Sequence, residues 1–148
     1  TLLGISWKKY ANKVFCLAEK VDPKKDFIRF IDYVPNKNLP LTYRKYDAAI
    51  FASSCENLPI TLLENMASGL PIVSSKLGPM IEVLGNAGIY FDPYNIKSIE
   101  NAIEKFILNS SNRFKLASLS YKIAKKYSWS KNSNNTLDFF KKIINEKS

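Results

Sequence analysis

Short apolar runs recur along this chain with a helical pattern between each and the next: FIRFIDYV at 27–34, AAIFASS at 48–54, PIVSS at 71–75 and AGIYFDP at 87–93. Runs of this length, rich in β-branched and aromatic residues and bounded by Pro, Gly, Asn or Asp, read as strands. A strand followed by a helix and then another strand returns to the same sheet by a right-handed crossover, which makes the neighbours parallel and puts helices on both faces. The pattern predicts an α/β fold, a Rossmann-like parallel sheet flanked by helices.

The segments between the runs carry their own punctuation. SWKKYANKVFCLAEKV places Trp7, Tyr10, Ala11, Val14, Leu17, Ala18 and Val21 along one helical stripe that Asp22 and Pro23 end. NLPLTYRKYD predicts a short helix and GPMIEVLGN a helical turn. PITLLENMASG predicts a helix with Pro59 at its first position and Gly69 just past its end. From Asn95 the pattern becomes wholly helical, over 95–109, 112–127 and 135–147, and is read as the C-terminal part of the same domain. With no internal repeat or low-complexity linker, 148 residues are expected to form one domain spanning 1–148. The first residue is Thr1, which predicts a piece of a longer polypeptide, truncated on its N-terminal side.

Composition narrows the function classes. The chain is 46% apolar, enough for a true core. No apolar run reaches the roughly 18 residues needed to span a bilayer, and TLLGISWKKY lacks the order of a signal peptide, so the default location is cytoplasmic. There is no histidine, and Cys16 and Cys55 stand far apart. A zinc site or a histidine-dependent nucleophile is thereby disfavoured, and both cysteines are expected to be buried small hydrophobes. The net charge of +9 is concentrated in the flanks: residues 1–50 and 101–148 each hold 10 basic side chains, whereas 51–100 hold 2 against 5 acidic ones. Such lysines are ordinarily solvated helix faces, and no groove-reading or base-stacking motif accompanies them, so no nucleic-acid partner is expected. RFKLASLSYKIAKKY is amphipathic and basic, which admits peripheral membrane contact, although Phe114, Leu119, Ile123 and Tyr127 are expected to pack on the domain.

The acidic middle holds the candidate site. In SSCENLPITLLENMASG, Glu56 stands in the loop that leaves a strand and Glu64 lies on the helix that follows. Open α/β sheets bind ligands outside the carboxyl ends of their strands, which is where that loop falls. Leu62, Leu63, Met66, Ala67 and Leu70 make one apolar face of the helix, with Glu64 at its edge near Ile60 and Thr61. Helical side chains tilt toward the amino end, so Glu64 reaches back toward the loop carrying Glu56. Free amides around Leu58, Ile60 and Thr61 can meet anionic oxygen, assisted by the helix dipole, while Pro59 has no donor. Two carboxylates flanking such amides suit hydroxyls on either side of a diphosphate. The competing reading, a solvated first-turn glutamate and an ordinary loop acid, stays open on placement alone. A glycosidase acid and nucleophile would require carboxyls about 5–10 Å apart across a cleft.

The ordered series FIRFIDYVPNKNLPLTYRKYDAAIFASSCENLPITLLENMASGLPIVSS resembles the donor-binding, C-terminal domain of the retaining GT-B glycosyltransferases of the family 4 group, also called glycosyl transferases group 1. It follows that family's strand, Leu-x-x-x-Tyr helix, Ala-containing strand, Glu-x7-Glu helix and Pro-Ile-Val strand. GPMIEVLGNAGIYFDPYN resembles the subsequent Gly-x-x-x-Glu and Ala-Gly-x-x-x-x-Pro segment, and YSW at 127–129 the Phe-Ser-Trp near its end.

The resemblance implies transfer of a sugar from a nucleotide diphosphate sugar to an acceptor with retention, in polysaccharide, lipopolysaccharide or glycolipid synthesis, without a metal or other cofactor. Glu56 would be the catalytic-site carboxylate on the donor-sugar hydroxyls and Glu64 the acceptor for ribose hydroxyls. Asn57, Leu58, Ile60 and Thr61 would line the sugar and diphosphate, and the backbone near Val34 would face the base. The implied partners are the nucleotide sugar and a missing N-terminal acceptor domain. Two departures stand out. Asn57, Leu58 and Pro59 occupy a stretch where the family favours glycine. The family's basic residues for the diphosphate have no counterpart near LLGI, and this piece alone is expected to be inactive. A non-catalytic assembly module of the same fold, or a basic membrane-surface fragment, are the alternatives.

Overall fold

The computed structural model describes residues 1–3 and 8–146. Trp7 lies outside the described residues. Two compact units follow one another along the chain, residues 1–42 and 43–148.

In the first unit, β1 (Leu2–Leu3) pairs in parallel with β2 (Phe30–Ile31), Leu2 opposite Phe30. Between them runs α1 (Lys8–Val21). Phe15 of α1 meets Phe30 edge to face, their ring centroids 4.6 Å apart, a favoured geometry for aromatic pairs. The chain leaves α1 at Asp22, only 4% exposed. Its carboxylate accepts from the backbone amides of Asp26 (2.8 Å), Phe27 (2.9 Å) and Ile28 (2.6 Å). Burial pushes the Asp22 pKa up, but the three N–H donors together outweigh it and leave the carboxyl below its ordinary value. These side-chain bonds satisfy amides that a longer strand would have paired. FIRFIDYV accordingly forms only the two-residue β2, matched to the two-residue β1.

A 3-10 turn (Asn36–Asn38) and α2 (Leu39–Tyr43) lead on along the chain. The second unit is built on a parallel sheet of order β3-β4-β5, comprising Ala49–Phe51, Ile72–Ser75 and Gly88–Phe91. All four residues of the central strand are buried. Ile72 belongs to the cluster with Leu62 and Met66 of α3 (Ile60–Ala67), Met80, Val83 and Leu84 of α4 (Met80–Leu84), and Ala124 of α6 (Ser110–Ala124). Val73 belongs to the opposite cluster, with Phe91 and with Ala102 and Phe106 of α5 (Ile96–Leu108). Alternate residues of a strand point to opposite faces, so β4 supplies both clusters at once. Gly88 permits the close packing of α4 on β5: a Cβ there would lie 2.4 Å from Leu84 Cδ2 and 3.1 Å from the Ile72 carbonyl oxygen. Gly69, at φ +74°, ends α3 in the left-handed region. Asn95 and Asn109 cap α5 and α6, accepting from the Ser98 and Asn112 amides at 3.1 Å each.

Several expectations need correction. AAIFASS is not a buried strand: β3 spans three residues at the edge of the three-stranded sheet and leaves Ile50 56% exposed, whereas Ala49 and Phe51, on the opposite face, pack against the larger cluster. Pro59 is the N-cap of α3 and not its first helical residue. The last helix, α7 (Trp129–Glu146), begins before Asn135, since the Ser128 hydroxyl accepts from the Lys131 amide and opens the helix there. Cys16 and Cys55 are exposed, the first on an outward face of α1 and the second in the loop after β3. Leu119 and Ile123 pack on the core as expected, whereas Phe114 is 82% exposed and Tyr127 also faces out. No residue of α7 is buried. Among the described residues no helix is long and apolar enough to cross a membrane.

Leu62→Ala removes a fully buried side chain from the larger cluster and should cost about 2–5 kcal/mol, read by urea unfolding. Asp22 supplies a pH test. Its folded pKa lies below the ordinary 3.8, so its contribution is present above that value and lost as pH falls through the folded pKa. Acid unfolding monitored through the first unit should lose this component in Asp22→Asn.

Candidate functional site

Parallel strands place their carboxyl ends on one edge, and the loop from Ala52 to Pro59 leaves β3 at that edge. Glu56 is half-buried there, and Asn57 and Leu58 are exposed. The entry into α3 is tight. Pro59 has φ −77° and ψ 79°, and the Ile60 amide donates 2.9 Å to the Leu58 carbonyl, an inverse γ-turn. The Ile60 N–H is therefore engaged, contrary to its expected role as a free donor. The Leu63 amide closes the first helical turn on the Pro59 carbonyl at 3.1 Å. No side chain caps this end. An α-helix leaves its first amides without intrahelical acceptors, which here, with Pro59 lacking a donor and Ile60 satisfied locally, leaves those of Thr61 and Leu62.

Along α3 the structure separates two faces. Leu62, Asn65 and Met66 turn inward, whereas Ile60, Leu63, Glu64 and Ala67 make a second stripe. Ala67, expected in the apolar face, is exposed. The second stripe forms one wall of an open hollow of about 910 Å3, which α4, the end of α6 and the start of α7 close on the other sides. Tyr127 and Trp129 of the YSW segment, with Lys126 and Lys131 beside them, line the far wall.

Of the expected site residues, Leu58, Ile60 and Glu64 border this hollow. Glu56, Asn57 and Thr61 lie on the preceding loop and first turn, outside its lining. Val34 is a half-buried residue of the first unit. A residue that sequence reasoning passed over is Tyr43, at the end of α2. It is buried to 7% exposure and its hydroxyl donates to Glu64 Oε2 at 3.0 Å. Burial raises its phenol pKa, and the neighbouring Glu64 carboxylate raises it further. The only signal in the sequence was the tyrosine of Leu-x-x-x-Tyr, whose partner lies 21 residues away.

At the same sheet edge, Lys76 Nζ stands 3.2 Å from Asp92 Oδ2, joining the segments that follow β4 and β5. The Tyr94 amide also donates to Asp92 at 3.0 Å, and these two contacts hold the carboxyl below its usual range. Among the described residues no group of three or more Cys, Asp or Glu side chains stands close enough to hold a metal ion. The arrangement offers a carboxylate acceptor, the uncommitted amide of exposed Thr61 at the helix start and an apolar wall with aromatic edges, while the Leu62 amide is shut in the core.

The sequence profile of the family described as "Glycosyl transferases group 1" matches residues 3–141. The chain belongs to this family. Relatives include an O-antigen chain mannosyltransferase B of Escherichia coli, 29% identical over 118 residues that make up 80% of this chain and 31% of that protein. Spore coat protein SA of Bacillus subtilis is 31% identical over 80% of this chain and 33% of its own length. The chain thus spans about a third of the length of these relatives. Among solved structures, a sucrose-phosphate synthase from Thermosynechococcus elongatus matches 98% of this chain and 39% of its own, with a TM-score of 0.83 at 15% identity. Anabaena HepE, solved with UDP and glucose, matches 84% of this chain and 35% of its own, with a TM-score of 0.75 at 19% identity. These likenesses establish the fold as the Rossmann-like half of a GT-B glycosyltransferase.

Because the Tyr43 phenol pKa is raised on folding, it stabilises the fold below pH 10 and that contribution is lost as pH climbs from there toward the folded value. Unfolding midpoints measured across the alkaline range should fall more steeply for the native chain than for Tyr43→Phe.

Proposed function

We propose that the protein of which this chain is part transfers a sugar from a nucleotide diphosphate sugar to an acceptor with retention of configuration. In this reading the chain is the donor-binding half, and a second domain, supplied by the rest of the polypeptide, presents the acceptor. The observation that carries it is the placement of Glu64: a carboxylate held by a buried phenol, one turn from an uncapped helix start, on the wall of an open hollow. That is a hydroxyl acceptor beside a diphosphate-binding element. Family membership, and the UDP-bound relative of the same fold, support the choice of ligand class.

In chemical terms the bond between the anomeric carbon and the β-phosphate oxygen breaks, and the leaving nucleoside diphosphate takes the bonding electrons. The amide of the exposed Thr61 and the partial positive charge of the α3 start stabilise that developing charge. The acceptor hydroxyl oxygen bonds to the anomeric carbon from the face the diphosphate leaves, and its proton passes to the departing phosphate oxygen. Glu56 contacts donor-sugar hydroxyls and Glu64 the ribose hydroxyls, both as positioning carboxylates with no covalent sugar adduct. Leu58 and the Pro59 turn leave the sugar an apolar neighbour where the family favours glycine, which shapes donor choice. Transfer in this scheme proceeds without a metal ion, and the likeness to an O-antigen chain mannosyltransferase supports polysaccharide, lipopolysaccharide or glycolipid synthesis as the setting.

Binding of UDP, GDP and ADP, followed by amide NMR shifts, tests the donor assignment. One of the three should perturb the amide of Thr61, and Glu64→Ala should weaken it by about tenfold or more. An unchanged response in the variant would remove Glu64 from the site. Activity of the complete protein should survive EDTA.

A further inference from the structure

In the second unit a buried tyrosine, Tyr43, and a half-buried one, Tyr90, put their hydroxyls to different uses. Tyr90, on β5, donates to the Gly85 main-chain carbonyl, and burial pushes its phenol up to about 12. That bond ties a strand to the turn after α4. Tyr43 donates instead to a side chain, and that side chain borders the hollow. A buried hydroxyl needs a partner, but a backbone carbonyl would serve as well. The choice of a carboxylate fixes the orientation of that carboxylate.

Among the described residues no lysine or arginine forms an ion pair with Glu64, and Oε1 has no partner. A bidentate arginine would engage both oxygens and neutralise the charge. A phenol engages one oxygen, leaves the other with its lone pairs uncommitted and leaves the charge in place. It also removes rotamer freedom that a long side chain would otherwise lose when a ligand binds. Tyr43 itself does not line the hollow, so it acts only through Glu64.

We infer that Tyr43 is a positioning residue of the donor site: its hydroxyl holds Glu64 Oε2 so that Oε1 is set to accept from a ribose hydroxyl of the nucleotide. This inference rests on the donor-site reading given above.

Isothermal titration of the intact protein with UDP, GDP and ADP, and with their 2′,3′-dideoxy counterparts, tests it in the native protein, Tyr43→Phe and Glu64→Gln. Tyr43→Phe should weaken the ribonucleotide that binds by roughly tenfold and leave its dideoxy counterpart unaffected, since the contact being positioned is then absent. A packing role alone would weaken both equally, and that result overturns the inference. So does an unaltered Tyr43→Phe beside a weakened Glu64→Gln, an outcome that leaves the proposed function standing. If the native protein binds none of the three ribonucleotides, the donor-site reading falls and this inference with it. Should Tyr43→Phe fail to fold, 3-fluorotyrosine placed at position 43 gives a second measure. Its fluorine resonance should move on ribonucleotide binding and stay in place with the dideoxy form; no response to either overturns the inference.

Discussion

Burial of β4 on both faces is the constraint from which the rest of the second unit follows. A strand covered on both sides must offer apolar or satisfied polar groups in both directions, and Ile72, Val73, Ser74 and Ser75 meet that demand. The Ser74 hydroxyl donates to the Ser75 carbonyl, and the Ser75 hydroxyl accepts from the Leu77 amide, so neither is left unpaired. With β4 pinned, β3 and β5 can only add alongside it in parallel, and all three carboxyl ends fall on one edge. The Lys76–Asp92 pair and the Lys76 amide bond to the Phe91 carbonyl then join two of the segments that emerge there.

The third emergent segment leads into α3, which carries Glu64, and packing sets how that helix faces. A helix that presses Leu62 and Met66 into the core must turn its Ile60–Leu63–Glu64–Ala67 stripe another way, because residues three and four apart share a face. Core packing therefore sets the direction of the site carboxylate to within a helical face. The finer aim comes from Tyr43, which reaches it from a different helix. Stability and recognition meet in that one bond: the same buried phenol that stabilises the fold below alkaline pH holds the group that borders the hollow.

Much of the fold was legible because periodicity is local. The strands at Ile72–Ser75 and Gly88–Phe91 and the helices Ile96–Leu108 and Ser110–Ala124 lie close to where their patterns placed them, since each carries its own apolar period and each of the two helices its own asparagine cap. Of FIRFIDYV only Phe30 and Ile31 form a strand among the described residues, because strand pairing depends on a partner segment far away in the chain. Cys16, Cys55 and Ile50 were expected inside and lie outside, since exposure depends on what other segments cover. Within the site, Glu64 could be found from its spacing to Glu56 and its place on a helix. The engaged Ile60 amide could not, because it depends on the ψ that Pro59 adopts.

By itself the sequence determined the α/β class, the order of the elements, the family and the two glutamates, all of which are written in residue type and short-range spacing. Tertiary structure alone decided which amides at the start of α3 remain uncommitted, which helices close the hollow, and that Tyr43 holds Glu64. Those depend on backbone angles and on contacts between residues far apart in the chain, and a hydrogen bond spanning 21 residues leaves no periodic trace to read.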